Sequence, residues 1–198
     1  EFRKLEKKYG QEGDKEKYAF YGKRQLVQKI LLNSLYGVLG LPAFRFYDVD
    51  NAEAVTTTGQ TVIKSTADMA NLKYNKELGT PDLDSNIYID TDSVFFSAVP
   101  LMDKRTPNWR EESQDTIAGY VDDIAGEVQD YLNNFYDILS EKIFNVDRDK
   151  HRLEIKKEYV AKAGLWVAKK RYAQWIIMNN GIPTDKLDVK GLDVKRSS

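Results

Sequence analysis

Residues 87 to 96 read IYIDTDSVFF, and this stretch constrains the fold more than any other. Ile87, Tyr88 and Ile89 on one side, and Val94, Phe95 and Phe96 on the other, have strand propensity, so the polar residues between them form the turn of a tight β-hairpin. That turn carries two carboxylates, Asp90 and Asp92. Unpaired, they repel one another by about 3 kcal/mol at roughly 5 Å and an effective dielectric constant of about 20. A bound divalent cation removes that cost. Magnesium takes only one or two protein carboxylates and fills its other positions with water and phosphate oxygens, so the pair suits phosphate chemistry better than a closed structural cage. An Asp-rich turn is also ordinary composition for a solvated loop. The hairpin alone leaves both readings open.

A second segment, QKILLNSLYGVLG from Gln28 to Gly40, reads as the end of a helix. From Arg24 to Leu39 there is no proline and one interior glycine, and Gly40 and Pro42 supply stop signals. Lys29 and Asn33 are four apart, and Tyr36 and Gly37 follow one turn later, which puts all four on one helical face. An ammonium, an amide, an aromatic ring and a glycine with no side chain together form a stripe suited to a polyanion with bases. A surface helix with one lysine is the bland alternative.

The order Lys29, Asn33, Ser34, Tyr36, Gly37, then Tyr88, Asp90, Thr91, Asp92, Ser93, resembles motifs B and C of family B DNA polymerases. A third block, Lys169, Lys170, Arg171 and Tyr172, is similar to the KKRY element with which that family grips the primer strand near its growing end. The stretch FRFYDVDNAEAVTTTGQ, Phe44 to Gln60, looks like the polymerases of large tailed bacteriophages. The ending KGLDVKRSS is similar to the family's junction of palm and thumb.

The resemblance implies roles residue by residue. Asp92 matches the carboxylate that coordinates two catalytic Mg2+ ions, and Asp90 matches its neighbour beside the metals and the primer terminus. Lys29 matches the lysine that neutralises the incoming dNTP, with Asn33 one turn along; Tyr36 and Gly37 match residues lining the pocket of the nascent base pair. Lys170 and Tyr172 match primer contacts, and Lys169 and Arg171 are expected phosphate partners. Glu158 aligns loosely with a further acidic residue near the metals. The implied partners are primer–template DNA, dNTP, the remainder of the polymerase chain and a sliding clamp; the implied place is the cytoplasm, of the host cell for a viral protein.

The family carries another aspartate in motif A, DxxSLYPS, and no such segment occurs in these 198 residues. Its place is expected upstream of Glu1. With exonuclease and thumb also lacking, the chain reads as a piece of a larger polymerase, inactive alone. The opening EFRKLEKKYG, without methionine, is a charged helical pattern, and Gln11 to Asp14 reads as the turn at the fingers tip. The expected domains are partial fingers over residues 1–40 and a palm over 41–198.

Composition sets bounds. At 198 residues and 41% hydrophobic, the chain can bury a core. Cysteine is absent, which removes disulfides and thiolate metal sites and suits a reducing compartment. No apolar run approaches the roughly twenty residues of a membrane span. The net charge of -1 hides polarity: from Lys150 to Tyr172 eight basic residues face two acidic ones, whereas from Glu111 to Asp149 eleven acidic residues face Lys142 and Arg148. The basic block surrounds the KKRY element, as binding to phosphates requires. In the acidic block Ile117, Val121, Ile124, Val128, Leu132, Phe135 and Leu139 recur every three or four positions, an amphipathic helix packed on the back of a sheet.

The remaining pattern predicts a helix from Thr56 to about Asn75, a loop over Pro100–Asn108, a strand over Arg152–Val160, a hairpin pairing Leu165–Ala168 with Tyr172–Met178, and a turn at Asn179–Pro183. His151 reads as a solvent-exposed bystander, and Trp109, Trp166 and Trp175 as packing residues. These elements describe an α+β palm, an antiparallel sheet backed by helices, with a helical fingers remnant. Two competing functions remain: another metal-dependent phosphotransferase, a nuclease or reverse transcriptase; and a DNA-binding palm module without catalysis.

Overall fold

The computed structural model describes residues 1–192 and divides into two compact units, residues 1–58 and residues from 59 onward. Lys190, Gly191 and Leu192 of the KGLDVKRSS ending are described; the remainder of that segment lies outside the described residues.

The first unit is built on a helical hairpin, α1 (Phe2–Gln11) and α2 (Lys15–Leu39). Gly13, at φ 76, makes the turn, where a side chain would be strained. Asp14 then caps α2 by accepting the Lys17 N–H at 3.0 Å. The helices run antiparallel with small residues at the contact: a Cβ on Gly10 would press Tyr18, and one on Gly22 would press Glu6. Tyr9 and Tyr21 stack across the seam at 5.4 Å. Gly40 ends α2 as expected. No residue of α2 is buried, and Leu31 and Leu32 are each 67% exposed. Asp48 accepts the Asn51 N–H at 3.0 Å and opens α3 (Val49–Leu78), which starts earlier and ends later than the sequence suggests.

In the second unit the later turns of α3 are followed by β1 (Asn86–Asp90) and β2 (Ser93–Phe96), α4 (Val99–Arg105), a single 3-10 turn (Trp109–Glu111), α5 (Gln114–Lys142), β3 (Tyr159–Ala168), β4 (Arg171–Asn179) and β5 (Ile182–Lys190). The class is α+β, with antiparallel strands in two sheets: the β1–β2 hairpin, and β3–β4–β5 in chain order. Ala70 and Tyr74 of α3, Leu101 and Met102 of α4, and Ile124, Val128 and Leu132 of α5 form the main core. These burials, each worth roughly 1.5–3 kcal/mol for a large side chain, hold the three helices together. A hydrogen bond at 2.7 Å joins the Thr66 and Tyr136 hydroxyls inside this packing. Arg105 adds a clamp, with paired hydrogen bonds of 2.6–2.8 Å to Glu77 on α3 and Glu127 on α5. A smaller cluster of Ala118, Val160 and Ile177 seats α5 against β3 and β4.

Several sequence expectations need correction. Residues 100–105 are helix rather than loop, because Pro100 occupies the first turn of α4, where its missing N–H costs nothing. The strand expected from Arg152 begins only at Tyr159. Residues 151–157 instead run along α5, which supplies hydrogen-bond partners from a stripe of side chains at i, i+4 and i+8. Gln129 accepts the Lys157 N–H at 2.9 Å; Asn133 accepts the Ile155 N–H at 2.9 Å and donates to its carbonyl at 3.1 Å; Asp137 meets His151. His151 is no bystander: its side chain is 11% exposed, Nε2 lies 2.8 Å from Asp137 Oδ1, and Nδ1 accepts the Leu153 N–H at 3.2 Å. The third strand, β5, had no counterpart in the sequence reading.

Candidate functional site

The two turns singled out in the sequence meet in the second unit. Register Asp90↔Ser93 leaves Thr91 and Asp92 as a two-residue turn. Thr91 sits at φ 52, a conformation costly for a β-branched residue, and Asp92 N–H donates to the Asp90 carbonyl at 2.6 Å across it. Thr91 Oγ1 donates to Asp90 Oδ1 at 3.1 Å and Ser93 Oγ to the Asp90 carbonyl at 3.1 Å, which fixes the Asp90 end of the turn. Asp90 is partly covered and Asp92 exposed at the tip.

The KKRY block forms the corresponding turn of the larger sheet. Ala168 pairs with Arg171, so Lys169 and Lys170 are the turn residues, and Lys170 adopts φ 61. Lys169, Lys170 and Arg171 are exposed, while Tyr172 is 8% exposed. The backbone N–H of Lys170 donates to the Tyr88 hydroxyl at 2.7 Å, and Lys170 Nζ stands 4.0 Å from Asp90 Oδ1. Between the turns lies an aromatic cluster: Tyr88, Phe95, Trp166 and Tyr172, with centroids 5.5–6.5 Å apart in the contacting pairs. Burial raises the Tyr172 phenol above its ordinary pKa, and the nearby Asp90 charge adds to the shift. Burial pushes Tyr159, which edges the cluster against Phe95, up to about 12, opposed by a hydrogen bond from Gln174.

Sequence reasoning missed Gly191. It follows β5 at φ 61, and a Cβ there would fall 2.2 Å from the Lys170 carbonyl oxygen, so only glycine lets the end of β5 close on the KKRY turn. A lone glycine after an alternating polar run was the only signal. Glu158 immediately precedes β3, where its carbonyl accepts the Asn180 N–H at the end of the strand opposite that turn, so it is not part of this cluster. Much of the basic block is engaged elsewhere: Lys157 pairs with Asp122, Lys156 with Glu154 and Lys150 with Asp147.

Lys29, Asn33, Tyr36 and Gly37 belong to the first unit and are all exposed on α2. The Tyr36 hydroxyl donates to the Ala52 carbonyl at 3.3 Å, which ties its ring to the first turn of α3. A Cβ on Gly37 would meet nothing within 4 Å, so packing does not demand glycine there.

Among the described residues no group of three or more His, Cys, Asp or Glu side chains is placed to hold a metal ion. The pair Asp90 and Asp92 suits Mg2+, which completes its shell with water and substrate oxygens. Among the described residues, too, no helix is long and apolar enough to cross a membrane.

A mixed α+β unit with an acidic two-residue turn held against a basic one is an arrangement suited to phosphate chemistry on a polyanion. The chain belongs to the family B DNA polymerases, whose family model matches residues 2–107. It is 30% identical over 195 residues to the DNA-directed DNA polymerase of Escherichia phage RB69, and 32% over 188 residues to that of Enterobacteria phage T4. Each match covers 88% of this chain and 20% of the phage protein. The DNA polymerase alpha catalytic subunit of Mus musculus is 29% identical over 178 residues, 89% of this chain and 10% of that subunit. The chain thus spans about a fifth of the length of the phage relatives it matches.

Proposed function

We propose that this chain is the palm and part of the fingers of a DNA-templated DNA polymerase that transfers a nucleotide from dNTP to a primer 3′ hydroxyl. The observation that carries the reading is the apposition of the two turns: Lys170 is hydrogen-bonded to Tyr88 and stands 4.0 Å from Asp90. A primer terminus lying across Lys169, Lys170 and Arg171 is thereby brought to the carboxylates of Asp90 and Asp92.

When bound, two Mg2+ ions supply activation of the primer hydroxyl and charge stabilisation on the departing pyrophosphate. Asp92, exposed at the tip, would be one protein ligand to these ions. Asp90, mostly covered beside Lys170, is the second carboxylate and faces the primer terminus. The cations at 169–171 bind primer phosphates and hold the strand. Lys29 on α2 provides counter-charge to the triphosphate, with Asn33 beside it, and Tyr36 and Gly37 bound the space for the nascent base pair. The aromatic cluster under the turns excludes water from their inner side.

Two carboxylates on one turn leave the metal set incomplete, so this chain alone binds DNA but does not extend a primer, and the remaining ligand comes from a DxxSLYPS segment of the same polymerase. Product analysis tests the proposal. Joined to that segment, the chain is expected to add dNTP to a recessed 3′ end on a DNA template. Strand cleavage would make it a nuclease, and equal synthesis on an RNA template a reverse transcriptase.

A further inference from the structure

Tyr88 has two faces of use in the hairpin. Along β1 burial alternates, so Ile87 and Ile89 are exposed while Tyr88 and Asp90, two residues apart, share the inner face. The ring of Tyr88 packs on Phe95 and on Tyr172. Its hydroxyl reaches the other sheet and accepts the N–H of Lys170. That N–H belongs to a turn residue at φ 61, outside the β3–β4 ladder, so the phenol oxygen is its partner. Gly191 supports the same turn from behind, where no side chain fits against the Lys170 carbonyl. The turn is therefore held at its donor by Tyr88 and crowded at its acceptor by Gly191.

We infer that Tyr88 is a positioning residue for Lys170: by fixing the backbone of the KKRY turn, its hydroxyl aims the Lys170 ammonium at the space beside Asp90 where a primer strand lies. The inference rests on the proposed DNA-binding role. It assigns Tyr88 no contact with substrate; the residue acts through the main chain of a lysine 82 positions away.

Tyr88→Phe keeps the ring packing and removes only the acceptor. In the 198-residue chain labelled with 15N-lysine, exchange of the Lys170 amide reads the hydrogen bond without reference to DNA. Binding of a duplex with a recessed 3′ end, followed by fluorescence anisotropy across a salt series, reads the consequence. The expected result is loss of amide protection, affinity lower by about fivefold, and a shallower dependence of log K on log salt by up to about one unit, although no charge has been removed. In a Lys170→Ala background the same change is expected to leave affinity untouched, since the group being aimed is gone. Retained amide protection in Tyr88→Phe, unchanged affinity, or an equal loss in the Lys170→Ala background would each overturn the inference. Failure of the unaltered chain to bind the duplex would reject the DNA-binding role itself and the inference with it; binding that is indifferent to Tyr88→Phe rejects the inference alone.

Discussion

A Cβ placed on Gly191 lies 2.2 Å from the carbonyl oxygen of Lys170. This is backbone contact, which no rotamer can relieve, and Gly191 is also at φ 61. Gly191→Ala is expected to lower stability by about 2 kcal/mol or more, read from urea midpoints, because strain and clash add. Gly181 is the control. At φ 77 with nothing within 4 Å of its Cβ, Gly181→Ala incurs conformational strain alone, roughly 1 kcal/mol. Equal losses at the two positions would mean that the KKRY turn yields freely.

Arg105 gives the helical core a dependence on acid. Its hydrogen bonds hold the Glu77 and Glu127 carboxyls below their usual range, against an opposing effect of burial. A carboxylate with a depressed pKa in the folded state contributes stability above the unfolded value of about 4.3, and that contribution is lost as pH falls through the folded value. Arg105→Met is expected to cost about 1 kcal/mol at pH 7, a modest figure because Glu127 is half exposed. The gap between the two proteins is expected to narrow as pH falls below the unfolded value and to close once both carboxyls are protonated in the folded state. A gap that persists there would assign the loss to packing of the arginine stem.

Asn133 satisfies both the N–H and the carbonyl of Ile155, in place of the strand partner that residues 151–157 lack. Asn133→Ala is expected to cost about 2 kcal/mol by thermal or urea unfolding, with faster amide exchange at Ile155. Asn133→Leu, which restores apolar bulk without hydrogen bonds, is expected not to rescue it.

The parts legible in the sequence are those whose causes are local. Asp14 caps and Gly13 turns within a few residues of the helices they define, and the apolar repeat of α5 contains Ile124, Val128, Leu132 and Leu139, all buried. The acidic turn follows from the residues flanking Thr91 and Asp92. The failures had distant causes. Residues 152–157 read in sequence as the opening of a strand running to Val160, yet their partners are side chains of α5. The strand β5 carries Pro183 and is exposed along most of its length, which an edge position tolerates and propensity does not reveal. Pro100 breaks or begins a helix according to position, and here it begins one. At the site, the resemblance named both turns, but the bond between Tyr88 and Lys170 spans 82 positions and belongs to tertiary structure.

The roles proposed for Lys29 and Asp92 separate in kinetics. Lys29→Ala, in the polymerase carrying the DxxSLYPS segment, is expected to raise the dNTP concentration for half-maximal rate by roughly tenfold to a hundredfold, with a smaller change in kcat, because a charge-assisted contact to the triphosphate is lost.

Template-directed primer extension by that same polymerase, unaltered and as Asp92→Asn, at saturating dNTP and Mg2+, tests the central claim most directly. Asp92→Asn conserves the shape of the turn and removes the charge proposed to hold metal. The account predicts robust extension by the unaltered protein and a fall in kcat of about a thousandfold or more in the variant. Extension by Asp92→Asn at the unaltered rate would contradict it.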